Sequence, residues 1–284
     1  MSTLRTVIIT GANSGLGFET AKKIAKYKKY QVILACRSLE DGNIAKEKII
    51  NETGNQNIEV LEIDTSSLEA VRNFVDEFKK LDTKVYGLIN NAGISGMKNG
   101  SSIDNFDLVM ATNYIGHFLL TNLLLPYMDD NAKIFNVTSD MHNPPGGLTW
   151  KDPNEQFKPL MNKQSYSYSK LDFIYFTYEL DEILRKENSS ILVNAFNPGM
   201  MATNFLGDKK PPIAMIKLTM PKRVGDLDKS SSALAELIIN DEFKDTGKYY
   251  DRSTNYINSS DLSYNTENRK DLWNKSITIT GLEK

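Results

Sequence analysis

The chain alternates short apolar runs rich in β-branched residues with longer stretches whose apolar residues recur at helical spacing, as they do from Leu16 to Ala25 and from Leu68 to Phe78. Such alternation is typical of βαβ units, in which right-handed crossovers place helices on both faces of a parallel sheet. The predicted strands are 6–10, 31–35, 58–63, 85–90, 133–137 and 191–196. We therefore expect an α/β fold, a single doubly wound domain over residues 1–284 with a mainly parallel central sheet.

Composition narrows the class of protein. The net charge is −2, which gives no reason to expect a nucleic-acid partner. Cys36 is the one cysteine and only two histidines are present, so a disulfide framework and a histidine-rich metal-dependent hydrolase site are both disfavoured. The first strand begins at once and the best apolar stretch, 118–125, is short. We therefore expect a cytoplasmic protein without a signal peptide, integral membrane contact or metal.

A glycine-rich turn follows the first predicted strand, with the sequence Thr10-Gly-Ala-Asn-Ser-Gly-Leu-Gly17. Gly11 permits a tight exit from the strand, Gly15 lets backbone approach a pyrophosphate, and Gly17 lets the following helix pack closely. The helix N-terminus offers N–H groups and a positive dipole end to phosphate. The residues predicted to hold a dinucleotide here are Gly11, Asn13, Ser14, Gly15, Leu16 and Gly17. A plain strand-to-helix turn would need fewer glycines.

The end of the second strand bears on cofactor choice. No carboxylate occurs between Gln31 and Leu39 to hold a ribose 2′-hydroxyl, whereas Arg37 offers a guanidinium suited to a 2′-phosphate. We therefore expect NADP(H) rather than NAD(H), although Arg37 could also be an ordinary surface arginine. Asp64 and Thr65 end the third strand, where Asp64 could accept a hydrogen bond from the adenine amine or could cap a helix.

Tyr166 and Lys170 are four residues apart in a predicted helix that runs to about Lys186, so both side chains leave one face. A free phenol titrates near pH 10, and a neighbouring ammonium is expected to lower the pKa of Tyr166 toward the working range. Tyr166 would then protonate a carbonyl oxygen during hydride transfer, while Lys170 could hydrogen-bond the nicotinamide ribose. Taken alone, a Tyr–Lys pair on a helix surface is common.

Two further polar residues are candidates for the same reaction. Ser139 follows the fifth strand and could hold the developing oxyanion of the substrate, and we prefer it to Thr138. Asn113 lies in a mostly apolar predicted helix, where it either holds a water that connects to Lys170 or is a hydrogen-bonded core amide.

In this order, the glycine turn, Asn90-Asn-Ala-Gly93, Asn113, Ser139, the Tyr166/Lys170 pair and Asn197-Pro-Gly199 resemble the short-chain dehydrogenase/reductase family over roughly residues 3–250. The resemblance implies a Rossmann-like domain and a catalytic tetrad formed by Asn113, Ser139, Tyr166 and Lys170. It also implies that a second group of residues borders the cofactor: Asn91, Ala92, Gly93, Pro198, Gly199 and Thr203.

Finer features resemble the retinol dehydrogenase and protochlorophyllide reductase branch. These are Leu34-Ala-Cys-Arg37, the segment between Ser139 and Tyr166, and Asp271-Leu-Trp-Asn near the C-terminus. The single cysteine gives no support to photochemistry. The expected activity is an NADP(H)-dependent interconversion of a carbonyl and an alcohol, with an apolar aldehyde or ketone as substrate. The alternative is a non-catalytic dinucleotide-binding sensor or scaffold on the same fold.

Two segments interrupt the regular pattern, 140–164 and 200–228. The second is rich in methionine, leucine and isoleucine, so it is either a lid that orders over an apolar substrate or a surface that packs within the chain or against another subunit. The 140–164 insertion could obstruct a dimer face, which favours a monomer over a homodimer.

Overall fold

The computed structural model describes residues 4–95, 100–144, 164–200 and 224–282. Within them, one eight-stranded sheet has the order β3-β2-β1-β4-β5-β6-β7-β8, parallel throughout except for the antiparallel pair β7–β8. The strands are β1 (Arg5–Thr10), β2 (Tyr30–Cys36), β3 (Ile58–Glu62), β4 (Val85–Asn90), β5 (Met128–Val137), β6 (Leu192–Asn197), β7 (Tyr249–Asp251) and β8 (Tyr256–Ile257). The predicted fold class is confirmed.

Helices cover both faces of the sheet. They are α1 (Gly15–Ala25), α2 (Leu39–Thr53), α3 (Leu68–Lys79), α4 (Leu108–Met110), α5 (Gly116–Leu124), α6 (Ser165–Lys186), α7 (Leu227–Ile239) and α8 (Thr266–Thr280). A π-helical turn, Ala111–Ile115, joins α4 to α5, and 3₁₀ turns lie at Leu125–Tyr127, Asp140–His142 and Asp261–Tyr264. The start of α7 at Leu227 falls inside the segment 200–228 that we predicted to be irregular, because Asp226 caps the helix by accepting the Lys229 N–H.

The core lies in two layers because successive strand residues point to opposite faces. Ile8 packs toward α3, α5, α6 and α8, whereas its neighbours Val7 and Ile9 pack toward α1, α2 and α7. All three are fully buried, as expected of parallel strands covered on both sides.

The chain runs outward from β1 to β3 and then returns to β4 on the other side of β1. This reversal opens a crevice at the carboxyl ends of β1 and β4, which is where ligands bind in doubly wound sheets. The strands we did not predict, β7 and β8, have three and two residues and are too short to give a periodic signal.

One helical stretch, Leu108–Tyr127, is long and apolar enough to cross a membrane by length and composition, contrary to our expectation that none would be. Its most apolar window is 72% buried inside the fold. Phe118 and Leu119 in this stretch are fully buried against α3 and α6. The stretch therefore packs as a core helix of the described structure.

Candidate active site

The glycine turn leads from β1 into α1 at the crevice. Gly11 (φ +65°) and Gly15 (φ +57°) adopt left-handed backbone that favours glycine. A Cβ on Gly17 would lie 2.5 Å from the Gly11 carbonyl oxygen, so α1 passes very close to the turn. Ser14 occupies the N-cap position but makes no side-chain capping hydrogen bond. The first N–H groups of α1 are thus left without a side-chain cap, in the arrangement that binds phosphate.

Arg37 and Asp64 follow the neighbouring strands β2 and β3. The Gly11 N–H donates to the Ala35 carbonyl (2.8 Å), so β2 passes beside the glycine turn, and Arg37 follows Ala35 by two residues. Arg37 is exposed and forms no ion pair with residues in the described ranges. Asp64 accepts hydrogen bonds from the N–H and hydroxyl of Ser66 (2.9 and 2.6 Å). Ser67, not Asp64, caps α3, so Asp64 is not the helix cap that we considered.

A partly buried hydrogen-bond network joins the glycine turn to the Asn91–Gly93 segment after β4. The Thr10 hydroxyl oxygen accepts the N–H groups of Asn91 (2.8 Å) and Ala92 (2.9 Å). The Asn91 amide donates to the Thr10 carbonyl (2.7 Å). The segment predicted to border the cofactor is therefore fixed to the turn predicted to hold its phosphates.

Asn113 lies in the π-helical turn and is fully buried. Its Oδ1 accepts the Ile94 N–H (2.8 Å), and its Nδ2 donates to the Ile94 carbonyl (3.1 Å) and to the Ser169 hydroxyl (3.1 Å). A Cβ on Gly93 would lie 3.1 Å from Asn113 Oδ1 and 3.8 Å from Lys170 Nζ. Asn113 thus joins the segment after β4 to helix α6, and its role in holding a water stays a prediction.

Lys170 is buried between α6 and β5. Its Nζ donates to the Val137 carbonyl (2.8 Å) and lies 5.7 Å from the centroid of the Tyr166 ring. Burial lowers the pKa of Lys170 to about 7, because a low-dielectric environment disfavours the ammonium.

Tyr166 departs from the prediction that Lys170 would lower its pKa. Burial raises the pKa of Tyr166 to about 12; a hydrogen bond with Ser139 opposes the rise, and the charge of Asp140 adds to it. The Lys170 ammonium donates to Val137 and lies over the ring, and its own charge weakens near neutral pH. Desolvation is thus the largest influence on the phenol, and Tyr166 holds its proton at neutral pH.

Ser139 lies at the carboxyl end of β5, within hydrogen-bond reach of Tyr166. Its hydroxyl accepts the Met141 N–H (3.2 Å) and donates to Asp140 (3.3 Å). The neighbouring Thr138 is buried, and its hydroxyl donates to the Lys170 carbonyl (2.8 Å). The geometry thus favours Ser139 over Thr138 as the serine or threonine that faces the crevice.

The Pro198–Gly199 turn follows β6 at the same edge. Asn197 Oδ1 accepts the Gly199 N–H (3.0 Å), and Asn197 Nδ2 donates to Asp251 (2.8 Å). The Pro198 carbonyl accepts the Ser230 hydroxyl (2.9 Å), which fixes the turn to α7. Thr203, most of the segment 200–228 and most of the insertion 140–164 lie outside the described residues.

Four residues of the site were not among our predictions. Thr10 joins the turn to Asn91, and His117 bonds to both Thr10 and Asn113. Asp140 adjoins Ser139, and Arg252, which pairs with Asp251, adopts a left-handed φ of +57° beside Gly199. The spacing of four residues between Asn113 and His117 could have indicated their contact, whereas the position of Arg252 has no signal in the sequence.

The structure brings Asn113, Ser139, Tyr166 and Lys170 together at the crevice, next to the glycine turn and the Asn91–Gly93 segment. Arg37 and Asp64 stand farther along the same carboxyl edge, after β2 and β3. Asn13, Leu16 and Thr65 were also predicted to bind the cofactor, and that role stays a prediction. Asn13 is half-buried, and Leu16 and Thr65 are buried.

Comparison with known proteins identifies the family. The profile described as short chain dehydrogenase matches residues 5–149. Retinol dehydrogenase 13 from Mus musculus is 33% identical over 98% of this chain and 84% of that protein. Polyprenol dehydrogenase from Homo sapiens is 30% identical over 98% of this chain and 86% of that protein.

A solved structure of an uncharacterized protein from Mycobacterium Paratuberculosis has a TM-score of 0.75 and 29% identity, over 99% of this chain and 95% of that one. These likenesses extend over nearly the whole chain, including the C-terminal part that follows the profile match. The chain belongs to the short-chain dehydrogenase family, in its retinol dehydrogenase-like branch, and is an oxidoreductase of the class that interconverts CH–OH and C=O with a nicotinamide cofactor.

Proposed function

We propose that the protein reduces an apolar aldehyde or ketone to an alcohol with NADPH, using Tyr166 as the acid. The observation that carries the proposal is the placement of Tyr166 beside both Ser139 and Lys170 at the crevice that the glycine turn borders. The left-handed glycines and the uncapped start of α1 fit a dinucleotide pyrophosphate.

The residues of the chain supply the proton transfer and the orientation of the substrate. NADPH supplies the hydride. Tyr166, protonated at neutral pH because burial raises its pKa, donates its proton to the carbonyl oxygen of the substrate. The Ser139 hydroxyl holds that oxygen as negative charge develops. The Lys170 ammonium, near the phenol ring, offsets the charge left on Tyr166.

The preference for NADPH rests on Arg37. Its side chain is exposed beside the turn, is not engaged in an ion pair with the described part of the chain, and could bind a 2′-phosphate with two parallel hydrogen bonds. No carboxylate lies next to it between Gln31 and Leu39 to favour a free 2′-hydroxyl.

An apolar substrate is supported by two observations. The relatives include enzymes named for retinol and for polyprenol, both of which are apolar alcohols. The segment 200–228, which follows Gly199 at the crevice, carries many apolar residues, among them Met200, Met201, Phe205, Leu206, Ile213, Met215, Ile216, Leu218 and Met220.

A monomer is supported by helix α8, which covers α5 and α6. Trp273 packs edge-on against Phe118 (5.1 Å between centroids) and stacks on Phe176 (5.9 Å). Arg269 pairs with Glu179 (2.7 Å) on α6. The chain's own C-terminal helix thus occupies an apolar face that a second copy would otherwise need. The single-domain organisation and the cytoplasmic location stay predictions.

The test is Tyr166→Phe, with Tyr168→Phe as the matched control. Tyr168 lies two residues away on the same helix, and its hydroxyl donates to Gln164 (2.7 Å). We expect Tyr166→Phe to lower kcat for NADPH-dependent reduction of long-chain aldehydes by about 10²–10⁴-fold, the usual contribution of a general acid. NADPH affinity should be unchanged in both variants.

The measurements are the loss of NADPH absorbance and a fluorescence titration with NADPH. A Tyr166→Phe protein that retains wild-type kcat would refute the acid role, as would an equal loss of kcat in Tyr168→Phe. Failure of the wild-type protein to bind NADPH would refute the proposed function itself.

A further inference from the structure

We propose that His117 is a positioning residue that links the glycine turn to Asn113 and so holds the segment Asn91–Ile94 from both ends. The inference rests on the proposed function only in taking this segment to border the cofactor. His117 lies in α5 and is fully buried, so it does not reach solvent or a substrate.

The two ring nitrogens of His117 have different partners. Nδ1 lies 3.2 Å from the Asn113 carbonyl oxygen, and Nε2 lies 2.9 Å from the Thr10 hydroxyl. A carbonyl oxygen can only accept, so Nδ1 carries the hydrogen. Burial, together with the charge of Lys170 and against the hydrogen bond to Asn113, lowers the pKa of His117 to about 3, so the imidazole is neutral. Nε2 is therefore an acceptor, and the Thr10 hydroxyl donates to it.

The direction of the Thr10 hydrogen fits its other contacts. Its oxygen accepts the N–H groups of Asn91 and Ala92. Its one hydrogen has two acceptors within reach, His117 Nε2 at 2.9 Å and the Ile89 carbonyl at 3.4 Å, and the shorter distance favours His117. At the other end of the segment, Asn113 exchanges two hydrogen bonds with Ile94. These hydrogen bonds form a closed circuit that runs from Thr10 through Asn91–Ile94 to Asn113 and returns through His117.

This closed circuit of hydrogen bonds restricts the backbone of the segment. The backbone of Asn91–Ile94 cannot shift toward or away from the crevice without breaking a bond at Thr10 or at Asn113. Loss of His117 leaves those bonds in place but removes the hydrogen bond that ties Thr10 to the helix carrying Asn113, so the two ends of the segment can move relative to each other. The geometry therefore predicts an effect on cofactor affinity at the Thr10 end and on turnover at the Asn113 end.

Two substitutions separate the ends. In His117→Asn, the amide Nδ2 can replace Nδ1 and donate to the carbonyl four residues earlier, as Asn122 already does in this helix to Phe118 (2.8 Å). In His117→Gln, the longer amide can replace Nε2 and accept from Thr10. His117→Leu fills the site and makes neither bond.

We expect His117→Gln to keep the wild-type Kd for NADPH while its kcat falls by about three- to tenfold, the usual effect of one lost hydrogen bond. His117→Asn should show the opposite, with kcat retained and Kd raised by about three- to tenfold. His117→Leu should show both losses. Hydrogen exchange at the Ile94 amide, measured with NADPH bound, should become faster in His117→Gln and His117→Leu but not in His117→Asn.

The same three proteins distinguish positioning from a merely structural role. The linking role is refuted if, in all three variants, Kd rises and kcat falls in proportion to the loss of thermal stability. It is also refuted if all three variants match the wild type. Should the wild type bind NADPH but reduce no carbonyl, the proposed function fails, while Kd and Ile94 exchange still decide the role of His117.

Discussion

The substitution Gly17→Ala tests how closely α1 must approach the phosphate-binding turn. In an isolated helix alanine is more favourable than glycine by about 0.8–1.0 kcal/mol. Here the new Cβ would lie 2.5 Å from the Gly11 carbonyl oxygen and 2.6 Å from Asn91 Nδ2. Ordinary carbon contacts lie near 3.5 Å, so helix and turn must separate by roughly 1 Å.

Neither neighbour can move freely. The Gly11 oxygen belongs to the backbone, and Asn91 Nδ2 donates to the Thr10 carbonyl (2.7 Å). Overpacking of this kind costs about 1–3 kcal/mol, so after the helix gain the protein loses about 0–2 kcal/mol of unfolding free energy. Loss of one hydrogen bond to a charged phosphate costs about 1.5–3 kcal/mol, which raises the Kd for NADPH by roughly ten- to hundredfold.

Gly42→Ala in α2 is the matched control, because its Cβ would meet the Val60 Cγ1 methyl (2.5 Å) rather than backbone. Val60 lies on the edge strand β3, away from the phosphate-binding turn, so this variant should keep the wild-type Kd while overpacking changes its unfolding free energy by an amount similar to that in Gly17→Ala. Fluorescence titration with NADPH and urea unfolding measure the two quantities. Wild-type affinity in Gly17→Ala would refute the reasoning, since it would show that α1 can move without disturbing the phosphate contacts.

Three further predictions concern charge and packing. Arg37→Asp should reverse the preference between NADPH and NADH, measured as the ratio of kcat/KM; an unchanged ratio would remove Arg37 from the cofactor site. Burial lowers the pKa of Lys170 to about 7, so the unfolded chain binds more protons than the folded protein above that pH, and unfolding free energy should rise between about pH 7 and pH 10. In Lys170→Met, urea unfolding should show a smaller rise over this range and greater stability at neutral pH; an unchanged rise would mean that other groups cause it. Trp273→Ala should lower the unfolding free energy by about 3 kcal/mol, at the low end for tryptophan because the ring is half-buried, whereas Trp273→Phe should lose less by keeping an aromatic contact with Phe118 and Phe176. Equal losses of unfolding free energy in these two variants would show that the aromatic contacts with Phe118 and Phe176 do not contribute to stability.

Local patterns carried most of the fold prediction. The six strands we expected are present. Those inside the sheet are apolar runs buried on both faces, as in Val7–Ile9, whereas β3 at the sheet edge is only partly buried. The helix carrying Tyr166 runs from Ser165 to Lys186, close to its predicted range. The short strands β7 and β8 could not be predicted, because they exist only by pairing with β6 and with each other.

The site was partly predictable for the same reason. Residues that follow the strands meet at one edge of a parallel sheet, so Ser139 was expected near the glycine turn. The resemblance to the family implied the same for Asn91. We predicted that Lys170 would lower the pKa of Tyr166, whereas burial raises it. The spacing to Lys170 shows that the two side chains share a helix face, but it does not show how deeply the phenol is buried or that the ammonium donates to Val137.

The sequence by itself determined the order of strands and helices, the family and the identity of the candidate acid, because these depend on residue type and spacing along the chain. Only the tertiary structure decided that Tyr166 holds its proton and that His117 joins Thr10 to Asn113. Both depend on burial and on contacts between residues distant in the sequence, such as the 107 positions that separate Thr10 from His117.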